Sequence, residues 1–265
     1  MADFSGKVVF VTGAAMGNGK GAAESFAKRG ARVILADISD ILYETEKEFI
    51  KKGYLVSSVK FDVSDSKACI NAVKGVIKKY KKIDVLINNA GICKLAPFLE
   101  MPIELRDLHF DINIKGVWNV ARAIFPYMVK AKSGRIINMS SVTGVMVSDA
   151  GETAYATTKA AILGFTKALA FEAAPYNITV NAICPGYVKT PMAEDIAKQT
   201  SPNNPQKVLK DMTKAIPLKR LCTIEEIGNL CCFLGSDESS YITGTQVVID
   251  GGSTLPETFG NIGVS

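Results

Sequence analysis

Three side chains within residues 141–159, SVTGVMVSDAGETAYATTK, are of the right kind to act on one reacting oxygen: the Ser141 hydroxyl, the Tyr155 phenol and the Lys159 ammonium. Tyr155 and Lys159 are four residues apart in an Ala- and Leu-rich run, residues 154–173, whose apolar repeat predicts a helix. That spacing stacks both side chains on one helical face. An ammonium beside a phenol favours the phenolate, which makes Tyr155 a proton acceptor nearer neutral pH. Ser141 stands fourteen residues before Tyr155, just past the apolar run 135–139 (RIINM), which reads as a buried strand ending in polar residues. A hydroxyl at that strand end can hydrogen-bond a carbonyl oxygen as it becomes an alkoxide. Tyr-x-x-x-Lys also arises on ordinary surface helices, so the elements around it have to decide its meaning.

The first half supplies a cradle for a dinucleotide. Residues 7–11 (KVVFV) form a β-rich run that passes into TGAAMGNG at 12–19 and then into a helical pattern ending near Arg29 and Gly30. Strand, glycine turn and helix start make an anion site, because free N–H groups and the helix dipole point at a phosphate there. Gly13 permits the tight turn, Gly17 lets a pyrophosphate approach the backbone, and Gly19 lets the helix pack closely on the strand. Ala15, Met16 and Asn18 complete the contact surface of this turn, whose Gly-x-x-x-Gly-x-Gly spacing differs from the usual Gly-x-Gly-x-x-Gly. A second strand, residues 32–36, ends in Asp37, followed by Ile38. A carboxylate there accepts from both adenosine ribose hydroxyls and repels a 2′-phosphate, and no arginine stands near to neutralise one. NAD is therefore expected over NADP, with Lys20 the one side chain able to swing toward that phosphate.

A charged helix (41–52) and a third strand (55–61) lead to Asp62 and Val63, which either bracket an adenine or, in the case of Asp62, cap the turn before Ser64. A helix over 66–81 and a fourth strand over 83–87 open into Asn88, Asn89, Ala90 and Gly91, a turn suited to running its backbone past a ligand. Alternation of strand and helix with short connections dictates a parallel sheet with helices on both faces and ligands at the C-terminal strand ends.

The second half carries a long helical tract, 105–130, which reads as one helix or two meeting near Asp111 and includes Asn113 and His109. His109 reads as structural, and Asn113 as a core hydrogen bonder or the holder of a water behind Lys159. Trp118 and Phe125 on this tract, with Leu163, Leu169 and Phe171 on the next helix, offer apolar surface for helix-to-helix dimerisation or for core packing. A sixth strand, 177–184, ends in Pro185, Gly186, Tyr187, Val188, Lys189 and Thr190, where the Val188 backbone and the Thr190 hydroxyl can hold a carboxamide. Residues 191–217 change character around SPNNP and read as broken, mobile-looking helical pieces forming a lid, with Met192, Ile196 and Met212 as its apolar underside and Tyr187, Met192 and Ile196 as substrate contacts. A helix over 224–234 and a strand over 246–249 complete the sheet before Asp250, Gly251, Gly252 and a tail over 253–265. The expected organisation is a single domain over 1–265, with 1–92 mainly for cofactor and 93–252 for catalysis and substrate.

Composition narrows the function classes. The 265 residues include 31 Lys and Arg against 26 Asp and Glu, for a net charge of +5, and the lysines of 74–82 read as a solvated helix face. A nucleic-acid site is not expected from so modest a charge. No apolar run approaches the ~20 residues of a membrane span, and the start, MADFSGKVVFVTG, lacks a basic lead into a signal-peptide core, so a cytoplasmic protein is expected. Six cysteines without a Cys-x-x-Cys pair and a single histidine exclude an evident metal site or disulfide framework.

Taken in order, TGAAMGNG, the NNAG at 88–91, Asn113, Ser141, YATTK, PGYVKTP and DGG resemble the short-chain dehydrogenase/reductase family over residues 7–252. DINIKGVWNV, ICPGYVKTPMAE and DESSYITGTQVVIDGGSTLPET are similar to its bacterial UcpA-type members. The resemblance implies an α/β fold, a Rossmann-type doubly wound parallel seven-stranded sheet. It implies a tetrad of Asn113, Ser141, Tyr155 and Lys159, in which Tyr155 exchanges the proton, Ser141 holds the substrate oxygen, Lys159 binds the nicotinamide ribose and Asn113 anchors a relay water. It also implies a homotetramer paired through the long helices. Asn18 replaces a common isoleucine, and the interval from Ser141 to Tyr155 is one residue longer than in many members, which reshapes the wall near 148–152. The expected reaction is NAD(H)-dependent interconversion of a secondary alcohol and a ketone, the apolar lid suggesting a hydrophobic, cyclic, steroid-like small-molecule substrate. Polyols, 3-hydroxyacyl chains and a non-catalytic NAD-binding sensor stay open as alternatives. An epimerase or dehydratase would need a larger C-terminal part.

Overall fold

The computed structural model describes residues 2–255. Seven parallel strands form one sheet in the order β3-β2-β1-β4-β5-β6-β7. In chain order they are β1 (Val8–Thr12), β2 (Arg32–Asp37), β3 (Val56–Lys60), β4 (Val85–Asn88), β5 (Gly134–Met139), β6 (Ile178–Pro185) and β7 (Gln246–Ile249). β1, β4, β5 and β6 are buried at every residue, which is why they read as continuous apolar runs instead of alternating ones. Alternate residues still serve different layers. Val9 and Val11 face a core shared with Phe26, Ile227 and Cys231, whereas Val8 and Phe10 face one shared with Val73, Ile124 and Ala170.

The first layer holds α1 (Gly17–Ala27), α2 (Ile41–Lys51) and α9 (Ile224–Gly235); the second holds α3 (Ser66–Tyr80), α5 (Val117–Ala131) and α6 (Thr153–Ala173). Strand order reverses between β1 and β4, and a crevice opens there beyond the strand ends. The tract that reads as one helix or two meeting near Asp111 changes there by a wider winding: α4 (Ile103–Phe110) runs into a π-helical turn, Asp111–Gly116, and on into α5.

Residues 191–217 are better organised than the sequence suggests. Two helices, α7 (Pro191–Thr200) and α8 (Pro205–Ala215), each start on a proline and are capped by the residue before it. The Thr190 hydroxyl accepts from Ala193 N at 3.3 Å, and the Asn204 side chain from Lys207 N at 3.2 Å. The buried face of α7 is Ala193 and Ala197, while Met192 is exposed and Ile196 and Met212 are half-buried. The apolar underside assigned to the larger side chains is thus carried by two alanines. Among the described residues no helix is long and apolar enough to cross a membrane. The expected tail falls outside the described residues from 256 onward.

Candidate active site

Ser140 and Ser141 follow directly on β5, and α6 crosses beside them. The Ser140 hydroxyl donates to the Lys159 carbonyl at 2.8 Å, pinning the helix to the strand end. From the same strand, the Met139 carbonyl accepts from the Lys159 ammonium at 2.9 Å, and that ammonium lies 5.5 Å from the centre of the Tyr155 ring. The two side chains therefore meet as their spacing predicts. Burial pulls the Lys159 ammonium down to about 8. Burial also pushes the Tyr155 phenol up, with nearby Cys93 adding to the rise and the Ser141 hydroxyl opposing it. In the protein alone, burial is thus the largest influence on the phenol. Ser141 is buried, and its oxygen accepts from Thr143 N at 3.1 Å.

Asn113 sits in the π-helical turn with both amide hydrogens spent, donating to the Ile92 carbonyl and to the Thr158 hydroxyl at 3.0 Å each. Its oxygen accepts from Ile92 N at 2.9 Å. The side chain thus clamps the chain after β4, while its oxygen keeps a second lone pair. A Cβ on Gly91 would lie 3.1 Å from the Asn113 amide oxygen and 3.6 Å from the Lys159 ammonium. His109 is structural, as its sequence setting suggests: it is buried, pairs with the Leu105 carbonyl at 2.8 Å and accepts from Lys94 N at 3.1 Å.

The turns after β1 and β4 are joined by a residue that the sequence did not single out. The Thr12 hydroxyl accepts from Asn89 N at 2.9 Å and Ala90 N at 3.1 Å. Asn89 in turn donates its amide to the Thr12 and Gly13 carbonyls at 3.1 and 3.2 Å, leaving backbone to face the crevice. A Cβ on Gly13 would come within 2.9 Å of Ala90 Cα, and one on Gly19 would collide with the Gly13 carbonyl. A hydroxyl closing a buried strand was the available signal for Thr12.

Gly17 opens α1 at φ +57°, and a Cβ there would stand 3.6 Å from the Thr190 methyl, narrowing the gap between the glycine turn and the segment after β6. That helix start has no side-chain cap and no acid in its first turn, which leaves its N–H groups suited to an anion. The Asn18 side-chain oxygen is buried without a hydrogen-bond partner. Asp37 accepts from Ala15 N and Ser39 N, each at 3.0 Å, which bends the turn toward the end of β2. Ile38 and Met16 are exposed at the crevice mouth. Lys20 is paired with Glu48 at 2.6 Å. Asp62 accepts from Ser64 N at 2.8 Å, the turn-capping alternative, and Val63 is buried against Gly116. Beyond β6, Gly186 N donates to the Ile249 carbonyl at 3.0 Å, Val188 is buried, and the Thr190 hydroxyl donates to the Val188 carbonyl at 3.3 Å. An open glycine turn, an uncapped helix start, a buried unpartnered amide oxygen and a strand-end carboxylate fit a dinucleotide.

On the substrate side, α7 is tied to the chain after β4: Lys94 pairs with Asp195 at 2.8 Å and Leu95 N donates to Gln199 at 2.9 Å. Burial raises the Tyr187 phenol to about 12, with Asp149 and Glu152 adding to the rise. The buried Glu152, three residues before Tyr155, was not picked out from sequence.

The family profile described as enoyl-(acyl carrier protein) reductase matches residues 13–254. The oxidoreductase UcpA of Escherichia coli (strain K12) is 55% identical over 258 residues, covering 97% of this chain and 98% of its own. The chain belongs to the short-chain dehydrogenase/reductase family. Among solved structures, a short-chain type dehydrogenase/reductase from Mycobacterium marinum superposes with a TM-score of 0.89 at 34% identity, over 96% of this chain and 98% of that one. Levodione reductase superposes with a TM-score of 0.92 at 33% identity, over 95% and 99%. As a short-chain dehydrogenase/reductase the protein is an oxidoreductase of small molecules that draws on NAD or NADP.

Proposed function

We propose that the protein is an NAD(H)-dependent dehydrogenase interconverting a secondary alcohol and a ketone. The observation that carries this reading is the convergence of the Ser141 hydroxyl, the Tyr155 phenol and the Lys159 ammonium beside a dinucleotide crevice. When bound, the dinucleotide supplies the hydride acceptor in one direction and the donor in the other. Ser141 fixes the substrate oxygen, and Tyr155 takes the hydroxyl proton as the carbon loses its hydride. Lys159 keeps two N–H donors beyond its bond to Met139, enough to hold ribose hydroxyls while its charge favours the phenolate. Asn113 is a positioning residue that holds Ile92 beside them.

Gly13, Ala15, Met16, Gly17, Asn18 and Gly19 would hold the pyrophosphate, Asp37 and Ile38 the adenosine ribose, Asp62 and Val63 the adenine. The backbone of Asn89, Ala90 and Gly91 and the segment Pro185, Gly186, Val188 and Thr190 would take the nicotinamide side. Asp37, together with the commitment of Lys20 to Glu48, supports NAD over NADP. The exposed Met146, Val147 and Met192 and half-buried Ile196 support a compact, cyclic, partly apolar substrate beneath a lid of α7 and α8. Exposed Leu108, Trp118 and Phe171 on α4, α5 and α6 support a homotetramer paired through those helices. The acyl carrier protein in the profile's description favours a second reading, action on an acyl chain such as the 3-hydroxyacyl and 3-oxoacyl pair, and polyols belong beside it in the substrate panel.

The test is NADH formation with purified protein, NAD and a panel of cyclic alcohols, hydroxysteroids, polyols and 3-hydroxyacyl thioesters, run beside Tyr155→Phe. Turnover lost in the variant with NAD affinity retained is the expected result. Turnover that survives the loss of the phenol would overturn the assignment of the proton acceptor.

A further inference from the structure

In the first turn of α1 the side-chain oxygen of Asn18 is buried and takes no hydrogen bond. The residue as a whole is half-buried, so the protein covers this oxygen while part of the side chain stays reachable. An oxygen buried in this way forfeits its bonds to water and gains none from the protein. An aliphatic side chain of similar size would avoid that loss. The place of Asn18 narrows the partner that would justify an amide. A Cβ on Gly17, the residue before it, would stand 3.6 Å from the Thr190 methyl, so Asn18 lies where the glycine turn meets the segment after β6. That segment is the one assigned to the nicotinamide side. The Thr190 hydroxyl is already engaged there, donating to the Val188 carbonyl at 3.3 Å and accepting from Ala193 N at 3.3 Å as the cap of α7.

An unpartnered oxygen needs a donor. A pyrophosphate has none and would repel it, and the free N–H groups of the same helix start suit that group instead. The two ribose groups are assigned elsewhere, to Asp37 at the end of β2 and to Lys159 on α6. The nicotinamide carboxamide is the donor that remains. One amide also meets another at both ends, oxygen to N–H and N–H to oxygen. Neither end of the Asn18 amide is bonded within the described residues, so a half-turn of the group exchanges its oxygen and nitrogen without breaking a hydrogen bond. We infer that the Asn18 side-chain oxygen accepts a hydrogen bond from the nicotinamide carboxamide, which makes Asn18 a residue that selects and orients that end of the cofactor; this rests on the dinucleotide reading above. The protein alone is less stable for carrying this amide, and its cofactor complex is more selective.

The experiment compares NAD with 3-acetylpyridine adenine dinucleotide, in which a methyl group replaces the carboxamide nitrogen and its N–H donors. Affinities are measured by titration calorimetry on the native chain, Asn18→Leu and Asn18→Ala, beside a thermal melt of each protein without cofactor. Neither readout needs turnover. The expected result is a preference for NAD in the native protein that falls by roughly fivefold in both variants, while Asn18→Leu melts no lower than the native chain. An equal loss of affinity for the two dinucleotides in both variants overturns the inference, because the amide would then serve a group that they share, such as the pyrophosphate. An unchanged preference for NAD in both variants, or tighter NAD binding by Asn18→Leu, also overturns it and marks the oxygen as a packing defect. Failure of the native chain to bind either dinucleotide defeats the dinucleotide reading and the inference with it. An Asn18-dependent preference for NAD without oxidation of any alcohol leaves the inference standing and defeats the proposed reaction.

Discussion

Replacing Lys159 with methionine separates two effects of one buried charge. The ammonium lies 5.5 Å from the Tyr155 ring centre, and at an effective dielectric of ~20 that separation is worth about 3 kcal/mol to a phenolate. Losing it moves the alkaline rise of kcat/KM for alcohol oxidation up by about 2 pH units and lowers the rate at neutral pH by about a hundredfold. Stability moves the other way. Lys159 titrates near 8 in the fold against 10.5 in the unfolded chain. The favourable contribution of the uncharged amine is complete above pH 10.5 and is lost as the pH falls through about 8. At pH 7 the fold therefore carries the whole penalty, about 3 kcal/mol. Methionine fills a similar volume and removes that penalty, while the Met139 carbonyl loses its donor at a cost of about 1 kcal/mol. The net gain of about 2 kcal/mol raises Tm by roughly 5 °C in a chain of this size. A pH–rate profile measured at saturating NAD and a thermal melt at pH 7 check both halves. A variant that is slower with an unmoved profile, or that melts lower than the native protein, refutes the reasoning.

Four further outcomes follow from the same geometry. Asp37→Ser removes the carboxylate that repels a 2′-phosphate and should raise the NADP-to-NAD ratio of kcat/KM by roughly tenfold or more, measured by initial rates with each cofactor. Asn113→Ala unpairs both Ile92 backbone groups and should cost about 2 kcal/mol in urea unfolding, with kcat falling as the chain after β4 loosens. Thr223→Ala breaks the capping box that opens α9 and should cost about 1 kcal/mol without changing kcat. Glu226 in that box is held down to about 2 by Arg220 and the Thr223 backbone. Its contribution is present above the ordinary carboxylate value of 4.5 and fades as the pH falls toward 2, so Glu226→Gln should flatten the acid side of a Tm–pH curve.

The strands and the meeting of Tyr155 with Lys159 could be read from sequence because both rest on short-range rules: buried parallel strands are apolar runs, and residues four apart on a helix share a face. Less legible were groups whose meaning is set by a distant partner. Thr12 gains its role from amides of Asn89 and Ala90, far along the chain. Asn113 bonds to Ile92 and Thr158, and nothing nearby in sequence announces either partner. At Tyr155, for a related reason, spacing reveals the neighbouring charge but not the depth of burial around the phenol. In α7, side-chain size pointed to Met192, whereas the tight approach of the helix selected Ala193 and Ala197.

The π-helical turn at Asp111–Gly116 behaves as a stored insertion. Its wider winding admits one residue more than regular α-helix would in the same length, and such turns are less favourable than the helix they interrupt. Deleting one residue from that stretch would let α4 and α5 fuse into an uninterrupted rod and would rotate everything beyond it by about 100°. Asn113 would swing off Ile92, and Trp118 would leave its tilted contact with the Phe165 ring, 5.4 Å between centres. A shorter chain with a more regular helix would then be folded but misassembled at its centre. The irregularity is a phase adjustment between two helical segments, the first of which packs on α6 and the second on the sheet.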